Sequence, residues 1–375
     1  MAISLSAEQV RLLRLRAQLL HPRRADSATV VTKSLCGVQA QDPAAAALAL
    51  RVRGVGLRAC DVESARVQER SLVRTWCMRG TLQLLATEDV GWLLPLLGPV
   101  FVRESRRRYA ELGLDENDCV RGVRAIRDIL ASQGPLTRDE LVEQLAGRGM
   151  RLEGQARPHL IRRAALGGVV CLGPDRGADP TYVLLDTWLA DRVDRAPAMS
   201  REAAVAELAR RYLTAYGPAT PDDFAAWSGL PLSEARAGWQ GVGRELSEVE
   251  IAGRLAWLLE GLAAPLEEPP THLPVVHLVP SYDPYLLGYR SRELAVAPQY
   301  AKRVHPGGGL LRPTLLVDGR AFGTWRAKRR TGRLDVIVEP FDHLAEDVDA
   351  GLAAEVADLG RFLEVETTLS VTAPA

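Results

Sequence analysis

The sequence predicts an α+β protein built from three tandem winged helices, each a helix-turn-helix closed by a β-hairpin, followed by a C-terminal β-rich region. Three observations predict it. Residues 134–140 read GPLTRDE and residues 217–223 read GPATPDD, and each copy lies between amphipathic helical patterns. Each copy is followed, after a third helical stretch, by two short β-prone runs, which is the element order of a winged helix. Beyond residue 262 the helical pattern gives way to β-prone sequence.

The first segment, 1–118, opens with Ser6 capping a helix over AEQVRLLRLRAQLL. Ser27 or Thr29 opens a second helix through Cys36, and Asp42-Pro43 caps and starts a third through Arg53, using the side-chain acceptor and the fixed φ that helix starts favour. VRTWCM and TLQLLA, split by Arg79-Gly80, form its wing. In the second segment, 119–195, Gly-Pro stops the helix containing Val123 to Leu130, and Thr137 caps the next with acids in its first turn. RPHLIRRAALGG is the third helix there, and VVCLG and TYVLL form a hairpin across the turn-rich PDRGADP. The third segment, 196–262, has helices in AVAELARRYL, PDDFAAWSG and LSEARAGWQGV, with ELSEVEI and RLAWLLE as its hairpin.

The Pro-rich stretch AAPLEEPPTHLP (263–274) opens the C-terminal region, 263–375. There Asp318-Gly319, between LLV and RAFGTW, predicts a two-residue hairpin turn, because a type I′ turn needs positive φ at both central residues. An amphipathic helix, AEDVDAGLAAEVADLGRFL, and a strand, VETTLSV, close the chain.

A length of 375 residues excludes a single small core, and 47% hydrophobic against 25% charged residues excludes disorder as a global description. The five cysteines are far apart with no C-x-x-C pair, and none of the six histidines has a partner at metal-ligand spacing. No metal and no cofactor are expected. The start, MAISLSAEQV, lacks the pattern of a secretion signal, and the longest apolar run, Ala44 to Leu50, is too short to span a bilayer. A cytoplasmic protein with no membrane partner is the expectation. Gly307-Gly308-Gly309 follows no strand–helix pattern with a lysine and is not a phosphate loop.

Forty-seven basic residues balance 47 acidic ones, yet the balance is uneven along the chain. Arg290 to Arg333 carries eleven basic residues against Glu293 and Asp318, a local charge of +9. From Leu334 onward ten acids face only Arg361, a local charge of −9. A twisted hairpin can present the basic side as one surface suited to a duplex groove; alternatively RAKRR is a solvated face paired to the acidic terminal helix. Further basic clusters, Arg103-Arg106-Arg107-Arg108 and Arg157-His159-Arg162-Arg163, lie on helices and admit both readings.

Gln39-Ala40-Gln41 falls between two predicted helices, so both glutamines are expected in extended backbone, projecting to the same side. Two neutral amides so placed can hold one water between them. From spacing alone, such residues are more often ordinary connectors capping helix ends. Amides are poor general bases, so the pair makes chemical sense only where the scissile bond is already weak. An N7-alkylated guanine supplies such a bond: its cationic ring leaves without protonation, and an enzyme need only place water and stabilise an oxocarbenium-like sugar.

Four segments together resemble a known family: VQAQ at 38–41, VRTWCMRGTLQLLA at 73–86, LVPSYDPYLLGYRSR at 278–292 and VDGRAFGTWR at 317–326. They look like the AlkZ/YcaQ tandem-winged-helix DNA glycosylases, in the same order and over essentially the whole chain. The resemblance implies a C-shaped array with a basic channel for double-stranded DNA. It also implies that a Gln-x-Gln or Gln-x-Asp pair, here Gln39 and Gln41, is the catalytic motif. The Gln-x-Gln form resembles the branch that confers self-resistance to DNA-alkylating antibiotics by removing bulky alkylguanines and unhooking interstrand crosslinks, without a tight pocket for a flipped base. The family's groove-entering hairpin corresponds to the turn around Asp318-Gly319. DNA contacts are thus expected at Arg79, Lys302, Arg303, Arg312, Asp318, Gly319, Arg320, Arg326, Lys328, Arg329 and Arg330.

Only Lys33, Lys302 and Lys328 are lysines. Lys33 is the one near Gln39, and it reads better as a surface residue than as the amine a glycosylase/lyase needs. A monofunctional, monomeric glycosylase is expected. Asp283 in SYDPY is a candidate channel carboxylate, though Asp before Pro is more often a turn former. Tyr282 and Tyr285 are candidates to stack on sugar or base, though such aromatics are more often core. The rival reading is a non-catalytic winged-helix transcriptional regulator binding a pseudo-palindrome as a dimer. A third, an abasic-site lyase, predicts strand nicking trapped by borohydride.

Overall fold

A computed structural model describes residues 3–150, 152–190, 199–262 and 274–374. The expected boundary at 195/196 and the Pro-rich stretch, apart from its last residue, lie outside them. The fold is α+β, and the chain divides into two compact units: Met1–Val62 with Val205–Trp227 and Pro231–Ala375, and Glu63–Ala204 with Ser228–Leu230.

In the first unit the N-terminal helices form where their caps dictate. Ser6 and Gln9 build a reciprocal capping box ahead of helix Ala7–Ala17, and Ser27 caps Ala28–Ser34. Asp42 accepts from the backbone amides of Ala44 and Ala45 at the start of Pro43–Arg51, satisfying donors that every helix start leaves unpaired. Later in the unit come helices Pro221–Ser228 and Leu232–Gly241 and the hairpin Leu246–Ile251 with Arg254–Leu259. Strand Ile3–Leu5, unread in the sequence, pairs parallel to Leu246–Ile251. Its three residues are too few to show an alternating pattern.

A five-stranded sheet completes this unit, in the order Val276–Val279, Thr314–Val317, Arg320–Arg330, Arg333–Pro340 and Glu366–Val371. Helix Val348–Leu363 covers one face, burying Val348, Leu352, Val356 and Leu359 against Val276, Leu278, Val336 and Val338. The Asp318-Gly319 turn forms as expected: φ is 48° at Asp318 and 73° at Gly319, with Val317 opposite Arg320.

The second unit holds helices Thr87–Glu104, Glu116–Gln133, Arg138–Gly147 and Ala156–Leu166 and two hairpins. Thr137 and Glu140 form the capping box at the first repeat. The hairpin Leu72–Trp76 with Leu82–Ala86 lies in one sheet with Val170–Arg176 and Asp179–Leu184, joined where Arg74 stands opposite Leu172. That pairing groups the hairpin expected to close the first three helices with residues 63–204. The strands of the second hairpin also run deeper into PDRGADP than its turn residues imply, leaving a tight turn at Gly177, whose φ is 65°. Helix Thr87–Glu104 contains Pro95 and Pro99. Its buried face, Val90, Leu93, Leu94, Leu97 and Phe101, outweighs the broken backbone bonds. It approaches Ala156–Leu166 so closely that a Cβ at Gly98 would lie 2.0 Å from the Leu166 carbonyl.

Candidate active site

Gln39 and Gln41 occupy a connector pinned at both ends. Upstream, the helix Ala28–Ser34 closes with the amides of Cys36 and Gly37 bonded to the carbonyls of Lys33 and Thr32, and both residues take left-handed φ, 53° and 114°. The Tyr216 hydroxyl donates to the Leu35 carbonyl at 3.2 Å. Downstream, the Asp42 cap starts the next helix. Between these anchors Val38 and Gln39 are extended, so residues i and i+2 share a face. The side chains meet: Gln39 Nε2 donates to Gln41 Oε1 at 2.8 Å. Ala40 is buried, Gln39 half-buried and Gln41 exposed. The pair is therefore an amide dyad at a surface, directly ahead of the Asp42 cap of the next helix. A carboxamide has two N–H donors and two lone pairs, so Gln41 has bonding capacity beyond this contact.

Asp283 sits elsewhere, in the interior. It is fully buried and makes a bidentate pair with Arg53, both contacts 2.8 Å, while also capping the short helix Pro284–Leu287 through the Tyr285 amide. Its oxygens are occupied by protein donors, and it faces no solvent. Tyr285 is core, its hydroxyl donating to the Gly319 carbonyl at 2.9 Å; Tyr282, half-buried at φ 60°, packs against the same core.

Two arginines that sequence reasoning passed over organise this region. Arg51 ends the helix that Asp42 begins, two residues short of the expected Arg53, which follows in the turn, and both are completely buried. Arg51 pairs with Glu355 and Asp358 at 3.0 Å each and donates to the Leu278 carbonyl; burial lowers its pKa to about 10. Arg53 adds bonds to the Ala49 carbonyl and Gln18. The available signal was their setting, ALALRVRG, where two arginines alternate with apolar residues at a helix end.

Among the expected DNA contacts, the Asp318-Gly319 turn is tied into its own unit, with Gly319 buried and Asp318 exposed. Asp318 bonds the Val275 amide and carbonyl and accepts from Arg11, and a Cβ at Gly319 would lie 2.4 Å from the Tyr285 hydroxyl oxygen. The hairpin whose tip stands free is the next one. Residues 326–333 are exposed throughout. Arg326 pairs with Glu339 and Arg330 with Asp335 across the strands, and Arg333 pairs with Asp335 along its own strand; among the described residues neither Lys328 nor Arg329 has an ion pair. Those partners lie on the hairpin, whereas the terminal helix directs Glu355 and Asp358 to Arg23 and Arg51. Lys302 and Arg312 are exposed, Arg303 stacks on Phe341 at 4.6 Å, and Arg320 is exposed beside Phe322.

In the second unit Arg79 takes a left-handed conformation, φ 53° and ψ 17°, next to Gly80. Arg162 donates to the Gly80 carbonyl and to Ser105, Arg163 pairs with Glu116, Arg157 donates to the Leu152 carbonyl and His159 packs edge-on against Tyr109, so all four residues of the Arg157-His159-Arg162-Arg163 cluster are engaged within the unit. Arg107 and Arg108 pair with Glu111. Among the described residues no cluster has the makings of a metal site, and no helix is long and apolar enough to cross a membrane.

Three comparisons with known proteins agree. A family model described as DNA glycosylase AlkZ-like matches residues 32–362. An interstrand DNA cross-link repair glycosylase of Streptomyces sahachiroi is 32% identical over 359 residues, covering 90% of this chain and 91% of that one. The solved structure of the Streptomyces sahachiroi DNA glycosylase AlkZ matches with a TM-score of 0.83 at 28% identity, over 99% of this chain and all of the other. With a family model over most of its length and a relative above 30% identity across nine-tenths of it, the chain belongs to the AlkZ-like family of DNA glycosylases.

Proposed function

We propose that this enzyme hydrolyses the N-glycosidic bond of bulky N7-alkylated purines in double-stranded DNA, with Gln39 and Gln41 as the catalytic pair. The observation that carries the reading is the 2.8 Å bond between the two amides: it fixes them as one unit with a shared face, the arrangement needed to place a water at the sugar C1′. The C1′–N9 bond breaks with its electron pair passing to the cationic purine, which leaves neutral. Water forms the new C1′–O bond and releases its proton to solvent. No strong base is required, because alkylation has already weakened the bond, and catalysis rests on positioning and on amide dipoles facing the oxocarbenium-like sugar.

The element orders in 1–118, 119–195 and 196–262 support three winged helices, with 263–375 as the β-rich region. We propose that the 326–333 hairpin meets the duplex. Lys33 is exposed on the helix before the connector, and we assign it no Schiff-base role, so the product is an intact strand with an abasic site. The relative's name, an interstrand DNA cross-link repair glycosylase, supports crosslinked DNA as a substrate here; the Gln-x-Gln form at 39–41 is our ground for assigning it to self-resistance against a DNA-alkylating natural product. Incubating the enzyme with duplexes bearing different N7-guanine adducts and identifying the released bases by mass tests the substrate class. Gln39→Ala with Gln41→Ala is expected to abolish release while duplex affinity stays nearly unchanged; a double variant that still releases base removes the assignment.

A further inference from the structure

We infer that Tyr216 is a positioning residue for the glutamine pair, at the end of a buried polar relay that starts at Asp283. The inference rests on the proposed catalytic role of Gln39 and Gln41. Asp283 holds Arg53 in a bidentate pair, and Arg53 donates to Gln18 Oε1 at 3.1 Å. Gln18 Nε2 reaches the Tyr289 hydroxyl at 3.5 Å, and that hydroxyl donates to the Tyr216 backbone carbonyl at 3.0 Å. The Tyr216 hydroxyl then donates to the carbonyl of Leu35, four residues before Gln39. Every link lies in the first unit, and Gln18, Arg53, Asp283 and Tyr216 show no exposure at all.

The Leu35 carbonyl ends a helix and is one of the acceptors that lose their helical partner there. In the buried surroundings of Leu35 and Cys36 it needs a donor, and Tyr216 supplies it. The Trp227 indole also hydrogen-bonds the Tyr216 hydroxyl; an indole can only donate, so the hydroxyl proton is directed to Leu35. Immediately after this anchor the chain takes left-handed φ at Cys36 and Gly37, a conformation Cys adopts only when its surroundings impose it. Removing the anchor lets the connector relax, and the amide dyad moves with it. The relay also gives Asp283 and Tyr289, both in the SYDPYLLGY segment, a role that needs no contact with substrate.

Tyr216→Phe removes one hydroxyl and keeps the ring packed against Tyr212 and Trp227. Expected are a fall of about tenfold to a hundredfold in single-turnover base release, the range for a misplaced reacting group, and unchanged duplex affinity, measured well below the melting temperature. Tyr212→Phe is the control: its hydroxyl donates to the Gly288 carbonyl, one turn earlier on the same helix, and its release rate should match wild type. A Tyr216→Phe rate equal to wild type, or an equal fall in Tyr212→Phe, overturns the inference while leaving an inactive Gln39→Ala variant, and so the catalytic reading, intact. Should Tyr216→Phe fail to fold, Tyr289→Phe interrupts the relay one step earlier and is expected to lower the rate several-fold; a wild-type rate there overturns the inference.

Discussion

At the scale of single residues, burial separates Asp283 and Arg53, closed in the interior, from Gln39 and Gln41, which reach the surface. Asp283 and Arg53 compensate each other with no solvent access, so Asp283→Asn leaves a buried guanidinium short of its counter-charge. Breaking such a pair costs about 3–5 kcal/mol, and the expected outcome is a large drop in denaturation midpoint by urea titration. His277 is a second buried group, kept neutral because burial first, then Arg23, Arg51, Arg53 and His21, hold its pKa well below 6.5; Glu355, 3.8 Å away, is the nearby acid. Its folded pKa is lower than its unfolded one, so the unfolded chain binds the extra proton between the two values. The stability it contributes is present above about pH 6.5 and lost as pH falls toward the folded pKa. Melting curves from pH 7 to pH 5 should show this loss, and His277→Leu should flatten it. That Gln39 and Gln41 share a face was legible in the sequence, because period-two geometry in a short connector needs no tertiary information, whereas their expected role came only from the family resemblance. Arg51, Arg53 and the occupation of Asp283 were not legible, since each depends on partners some 230 to 300 positions away.

Among elements, local signals were read well and tertiary ones less so. Ser6, Asp42 and Thr137 all act where their caps were expected, because capping involves only the next three residues. Thr137→Ala is accordingly expected to cost about 1 kcal/mol, measured as a shift in the denaturation midpoint. The hairpins show the limit of local reading. Asp318-Gly319 dictated its own turn type but not its surroundings, and Tyr285 and Arg11 donate to its two carbonyls. The following turn, Thr331-Gly332, has a weaker turn signature and the free tip. Lys328→Glu with Arg329→Glu should therefore weaken duplex binding far more than Arg107→Glu with Arg108→Glu, whose guanidinium groups already face Glu111. Counterion release gives the measurement: the slope of log affinity against log salt should fall by about 2 for the hairpin pair, near 0.9 for each phosphate that is no longer neutralised. Equal slopes in the two double variants would remove the hairpin from the interface.

For the whole molecule, a net charge of zero at first argues against a polyanionic partner. The +9 and −9 segments resolve the conflict, and the structure shows how the negative one is used. Glu355 and Asp358 are absorbed by Arg23, Arg51 and Arg361, and Asp335 and Glu339 by arginines of the hairpin itself. Exposed pairs such as Arg326–Glu339 are worth little in water, so a phosphate can replace the carboxylate at small cost, whereas the buried pairs stay closed. We expect the attraction to DNA to be confined to one surface rather than spread over the protein. A sequence-reading dimer would bind a preferred site far more tightly than random duplex, by about 10³-fold or more. A lesion-searching monomer has no use for that ratio. Competition between unmodified duplexes of unrelated sequence should give affinities within a few-fold of one another, all falling steeply with salt, while sedimentation reports a single 40.9 kDa species. A strong preference for one unmodified sequence, carried by a dimer, would contradict this account of how the charge is arranged.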